Sequence, residues 1–160
     1  MAELTGSDGA LAVADFILAE VRATLDPTVE RVTLTLGEIV ADTCEYLQIA
    51  IMRYGVTSSY PLDDVMALDP RPSDLFTVAY QGQVARCWPS DDVPSVTVLR
   101  NHTAQIMADG YKLHTGMTCA LAELQNAYSI VQHNTQPLLF LPPSGGMAVA
   151  TVDFSVALTR

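Results

Sequence analysis

The chain has 160 residues, enough for one hydrophobic core without a metal or disulfide staple, and it sets 18 Asp and Glu against 8 Lys and Arg for a formal charge of −10. That balance opposes the phosphate neutralisation on which nucleic-acid binding rests, and it argues equally against an anionic membrane surface as a partner. Hydrophobic residues make up 49% and charged residues 16%, against roughly 25% charged in an average soluble domain, so self-association is expected to cover the surplus apolar surface.

Residues 1–10 lack a basic segment and the apolar run 11–21 is broken by Asp15 and Glu20, so neither a signal peptide nor a membrane span is expected, and the mature chain should start at Met1 or Ala2. Ser7 or Asp8 can cap a first helix, in which Leu11, Ala14, Ile17, Leu18, Val21 and Leu25 recur at helical spacing until Asp26 and Pro27 end it. Residues 31–36 alternate Val32, Leu34 and Leu36 with polar neighbours, a short strand before a Gly-containing and acidic corner at 37–43. The run 46–53 follows as a strand that is apolar on both faces, with Leu47, Ile49 and Ile51 inward, and so belongs in the centre of a sheet.

Residues 55–75 show no period and read as a long connection, whose sharp interpretation is an arm that orders against a neighbour. Tyr60, Pro61, Leu62, Asp63, Asp64, Val65, Met66 and Leu68 are its candidate interface residues. Residues 76–88 form the next strand, with a bulge expected near Gly82, and it should pair antiparallel with 47–53. The cluster 90–95 caps a second helix marked by Leu99, His102, Ile106, Gly110 and Leu113, with a kink or split expected at Gly116. Pro142, Pro143, Ser144, Gly145 and Gly146 form a turn, a second candidate contact, before a half-buried final strand 147–158 expected antiparallel to 128–132. The whole is one α+β domain over residues 1–160, with a mostly antiparallel, mixed β-sheet flanked by two main helices.

No constellation of residues calls for chemistry. Cys44, Cys87 and Cys119 are odd in number and far apart, which points to a reducing compartment and to small buried side chains rather than a disulfide framework. With His102, His114 and His133 they make no zinc spacing. Glu38, Asp42 and Glu45 suit turn hydrogen bonding better than acid–base work, and Asp63, Asp64, Asp69 and Asp74 read as a solvated loop rather than a calcium loop. Ser144 to Gly146 leads into a strand and lacks a nearby Lys, so it is no phosphate cradle. No catalytic residue, metal or cofactor is expected.

The order of these landmarks carries a resemblance. The strand 31–36, the corner Gly37-Glu38-Ile39-Val40-Ala41-Asp42-Thr43-Cys44, the strand 47–54 and Tyr60-Pro61 come first; Arg86-Cys87-Trp88-Pro89, the Ala-containing helix 103–124, and the Pro and Gly-Gly turn before the alternating final strand follow. Over residues 30–158 this resembles the tail terminator proteins of long-tailed phages of actinobacteria. The resemblance implies a non-enzymatic structural protein of the virion, made in the host cytoplasm. It would form a homohexameric ring that ends the tail tube and joins it to the neck, with the tube protein and neck or connector proteins as partners. DNA would pass through an acidic lumen without specific binding. The alternatives are a head completion or tail tube protein, or a small acidic ligand-binding or enzymatic domain.

Overall fold

The computed structural model describes residues 6–25, 29, 31–37, 44–57, 75–89, 94–127, 129–144 and 146–159. Its elements run α1 (Gly6–Thr24), β1 (Arg31–Leu36), β2 (Tyr46–Thr57), β3 (Leu75–Cys87), α2 (Val96–Asn126), β4 (Gln132–Thr135), β5 (Leu139–Ser144) and β6 (Met147–Leu158). The six strands make one mixed sheet in the order β1-β2-β3-β6-β4, with β5 also paired to β6, so the expected α+β architecture is present. β2, β3 and β6 pair antiparallel, and β1 lies parallel to β2.

The parallel pair has a short return. Leu36 lies beside Ile51 and Arg31 beside Tyr46, so the nine residues 37–45 must bring the chain back along the length of β1. Nine residues reach about 30 Å when extended and six strand residues span only about 20 Å, so no crossover helix is required. Gly37 begins the reversal at φ +74°, where a side chain would be strained, and its N–H donates to the Ile51 carbonyl at 2.9 Å.

Both helices contribute to one core on one face of the sheet. Leu47, Ile49 and Ile51 of β2 are buried there as the alternation predicts, with Val78, Tyr80 and Val84 of β3 and the even-numbered residues 148–158 of β6. The helices meet them with Val13, Ile17 and Val21 of α1 and Leu113, Met117 and Leu121 of α2. The Tyr80 ring stacks on Phe154 with centroids 4.8 Å apart, and its hydroxyl donates to the Ala10 carbonyl at 2.9 Å. Burial at this site raises the Tyr80 pKa far above the ordinary phenol range.

Several expectations are corrected. α2 is one continuous helix of 31 residues, begun by Ser95, whose Oγ accepts from the Val98 N–H at 3.3 Å. It does not split at Gly116, because an unbroken buried stripe from Ile106 through Leu113 and Met117 to Leu124 holds both halves against the sheet. β3 and β2 stay in register at Gly82, and the irregularity falls between Ile51 and Arg53 instead. Gly82 packs under Met117 and Ile49, so its missing side chain makes room for the core rather than for a bulge. β2 is interior, as expected, but β3 and β6 form the middle of the sheet. The partner of the last strand near 128–132 begins later, as β4 at Gln132, because Ser129 and Ile130 still bond back to the Leu124 carbonyl at the end of α2. Leu11 is exposed, the buried stripe of α1 running through Ala10 and Val13.

Two glycines of α2 give opposite predictions. A Cβ at Gly110 would lie 2.9 Å from both Ala150 Cβ and Phe140 Cε1, and Ala150 is fixed in β6. Overpacking of about 1–3 kcal/mol outweighs the roughly 1 kcal/mol of helix propensity gained, so Gly110→Ala should lower stability. At Gly116 the nearest atom to such a Cβ is Val21 Cγ2 at 3.4 Å, an ordinary contact. Gly116→Ala should therefore raise stability by about 0.5–1 kcal/mol, and urea unfolding of the two variants reads both signs.

Candidate functional site

The least ordinary surface lies at the β5 edge. β5 carries the sequence LFLPPS with every residue exposed, although three of its first residues, Leu139, Phe140 and Leu141, are large and apolar. It pairs with β6 through Leu139 to Leu141, loses register across Pro142 and Pro143, and regains it at Ser144 opposite Met147. Proline has no N–H for a ladder, which suits an edge strand. The expected 142–146 turn is thus narrower: Pro142, Pro143 and Ser144 belong to β5, Gly146 turns at φ +76°, and Gly145 lies outside the described residues.

Between β5, β6 and α2 runs a groove of about 310 Å³ lined by Trp88, Thr103, Ile106, Met107, Phe140, Leu141, Pro143, Ala148 and Val149, with no charged side chain. Its walls are set by defined contacts. The Trp88 N–H donates to the Gly146 carbonyl at 2.7 Å, tying the end of β3 to the β5–β6 turn, and the indole leans on His102 with centroids 6.1 Å apart. Phe140 lies over Gly110, whose missing side chain leaves room for the ring. Met107 remains 55% exposed and Phe140 45% exposed on the groove's lip.

A second apolar outcrop occupies the other edge, where Leu36 is 76% and Tyr54 61% exposed around a shallow depression that also includes Met52 and Arg53. Register fixes the relation of the two. The groove lies where β6 begins, beside the end of β3 and the start of β2, whereas Tyr54 pairs with Val78, which pairs with Val156 near the end of β6. The two apolar features therefore sit at diagonally opposite corners of one sheet.

The face turned away from the helices carries a polar row. Tyr46 Oη donates to Gln83 Oε1 at 3.3 Å, Gln83 Nε2 to Gln81 Oε1 at 2.7 Å, and Gln81 Nε2 to Asp153 Oδ1 at 2.9 Å. Gln48 Nε2 donates to Thr35 Oγ1 beside this row. Burial raises the Tyr46 pKa and lowers that of His133 on β4, whose Nδ1 is buried. A concavity of about 390 Å³ lies further along the same face, with Gln81, Asn134, Gln136 and Asp153 in its lining. Gln81 and Asp153 are already bonded to one another, Arg53 and Ser155 also line the concavity, and among the described residues no three His, Cys, Asp or Glu side chains come together as a metal site.

Beneath the groove, Arg86 is 4% and Asp109 1% exposed, and Arg86 Nε donates to Asp109 Oδ2 at 2.7 Å. Arg86 Nη1 also reaches Glu45 Oε2 at 3.8 Å. Cys44 and Cys87 are joined by a disulfide and Cys119 is an exposed free thiol, contrary to the expectation of three small buried thiols. The pairing was hidden because 43 residues separate the two cysteines in sequence, while the β2–β3 register brings Tyr46 opposite Ala85.

Of the candidate contact residues, Pro143 lines the groove and Pro142 and Ser144 flank it. Tyr60, Pro61, Leu62, Asp63, Asp64, Val65, Met66 and Leu68 lie outside the described residues, as do Glu38, Asp42, Asp69 and Asp74. Trp88, Met107 and Phe140 were missed as site residues. The available signal was the apolar run 138–141 stopped by two prolines, which marks an apolar strand with no strand beyond it. The fold is thus a mixed six-stranded sheet with two helices on one face and an uncharged groove at one edge. No protein-family model matches the chain, and no curated protein matches it significantly.

Proposed function

We propose that the protein is a structural component that assembles with copies of itself into a ring, in the role its landmark order suggests: ending a phage tail tube and joining it to the neck. The observation that carries self-assembly is the uncharged groove at the β5 edge, in a chain of net charge −10. Copies with that charge repel, so a contact between them is best made through surface that carries none. The diagonal placement of the two apolar corners favours a head-to-tail contact, in which Leu36 and Tyr54 of one copy approach the groove of the next. Contacts of that kind close into rings when the rotation permits. The station at the tail tube, the hexameric copy number and the passage of DNA rest on the resemblance of residues 30–158, the acidic character of the lumen rests on the net charge of −10, and together they complete the proposal.

The test is the solution mass of the wild type and of Phe140→Glu and Met107→Glu, measured by light scattering after size-exclusion chromatography. A carboxylate on the lip of the groove should shift the mass from the assembly to the single copy. Leu11→Glu, on the exposed side of α1, should leave it unchanged. Assembly that persists in both groove variants would refute the groove as the contact.

A further inference from the structure

Cys44 stands directly before Glu45 and β2, and Cys87 ends β3 directly before Trp88, the wall of the groove. Their Cα atoms are 4.7 Å apart, within the range in which a disulfide closes without backbone movement. The next residue along each segment makes a second link between them, since Arg86 reaches Glu45 at 3.8 Å and is itself held by Asp109 at 2.7 Å. Strand alternation puts Arg86 on the helix side of the sheet and Cys87 on the other. The same corner is therefore clamped on one side by charge and on the other by sulfur.

We infer that Cys44 and Cys87 are a reversible redox lock on the corner that carries Trp88, and that the Glu45–Arg86–Asp109 bridge holds the two thiols in register before the bond closes. The inference stands independently of the assembly proposal. The oxidant is a small-molecule disulfide of the glutathione class. One cysteine thiolate attacks a sulfur of that disulfide, breaking its S–S bond, forming a mixed disulfide and releasing one small thiolate. The second cysteine thiolate then attacks the protein sulfur of the mixed disulfide, forming the Cys44–Cys87 bond and expelling the second small thiolate. The two protons lost by the cysteines end on the two released thiols, and the oxidant takes up the two electrons. A reducing compartment reverses both steps, so the chain can fold with free thiols and be locked once its surroundings turn oxidising.

The experiment reduces the whole folded chain, removes the reductant and adds glutathione disulfide. Intact-mass measurement and peptide mapping then follow each cysteine. The wild type should give a linked Cys44–Cys87 peptide with glutathione only on Cys119, and its denaturant midpoint should rise on oxidation. Cys87→Ser should show no such rise. Glutathione accumulating separately on Cys44 and Cys87 of the folded wild type would overturn the lock. The bridge is read separately with the paired variant Arg86→Met, Asp109→Leu, its fold checked by circular dichroism. Mixed disulfides should build up in that variant before closure, and closure at the wild-type rate would overturn the positioning role.

Discussion

Asp109→Ala should lower folding stability by about 3–5 kcal/mol, the range seen when one partner of a buried ion pair is removed. Asp109 is buried on α2 and Arg86 is buried on β3, so the substitution leaves a guanidinium facing the core with its closest carboxylate gone. Glu45, partly exposed and at 3.8 Å, is a weaker partner than Asp109 at 2.7 Å and replaces it only in part. The asymmetry is the informative part. Replacing both partners with apolar residues, Arg86→Met with Asp109→Leu, removes the desolvation penalty along with the attraction and should come out within about 1–2 kcal/mol of the wild type. Urea unfolding of the single and paired variants separates the loss of one partner from the loss of the pair.

Ile49→Asp should abolish folding. Ile49 is fully buried in β2, and its Cδ1 fills the space left by the missing side chain of Gly82 on β3. The substitution forfeits about 2–4 kcal/mol of packing and buries a carboxylate in the apolar core, for a combined cost above about 5 kcal/mol. That approaches the whole stability of an ordinary domain. Loss of the far-ultraviolet circular dichroism of the purified variant, or its recovery only in inclusion bodies, is the expected result. A folded variant would mean that the β2–β3 centre tolerates charge.

The elements that bury one face were legible in the sequence for a common reason. α1, β1, β2 and β6 each repeat apolar residues at the period of their own geometry, and each was placed within a few residues of where it lies. β5 was not legible, because its apolar residues face solvent while its pattern is that of a buried strand. Apolar composition reports the wish to be covered and not what does the covering. The Arg86–Asp109 pair was equally hidden, since 23 residues and a change from strand to helix separate its members. Gly116 misled for a different reason. The helix-breaking tendency of glycine is worth only about 1 kcal/mol, and the packing of the neighbouring stripe against the sheet exceeds it. The long connection 55–75 offered as a docking arm is shorter than expected, since 55–57 continue β2 and Leu75 begins β3, and its remainder, 58–74, lies outside the described residues. The contact surface argued from structure is therefore the groove and not the arm.

The groove also connects the two proposals without making one depend on the other. Trp88 forms its wall, and the residue before Trp88 is the sulfur end of the lock. If both hold, oxidation should fix the surface on which the next copy docks. The most direct test of the central claim is electron microscopy of the purified, negatively stained protein. Closed rings with a central opening are expected, lost in Phe140→Glu. A field without rings, together with a solution mass of one copy at every concentration tried, would contradict it.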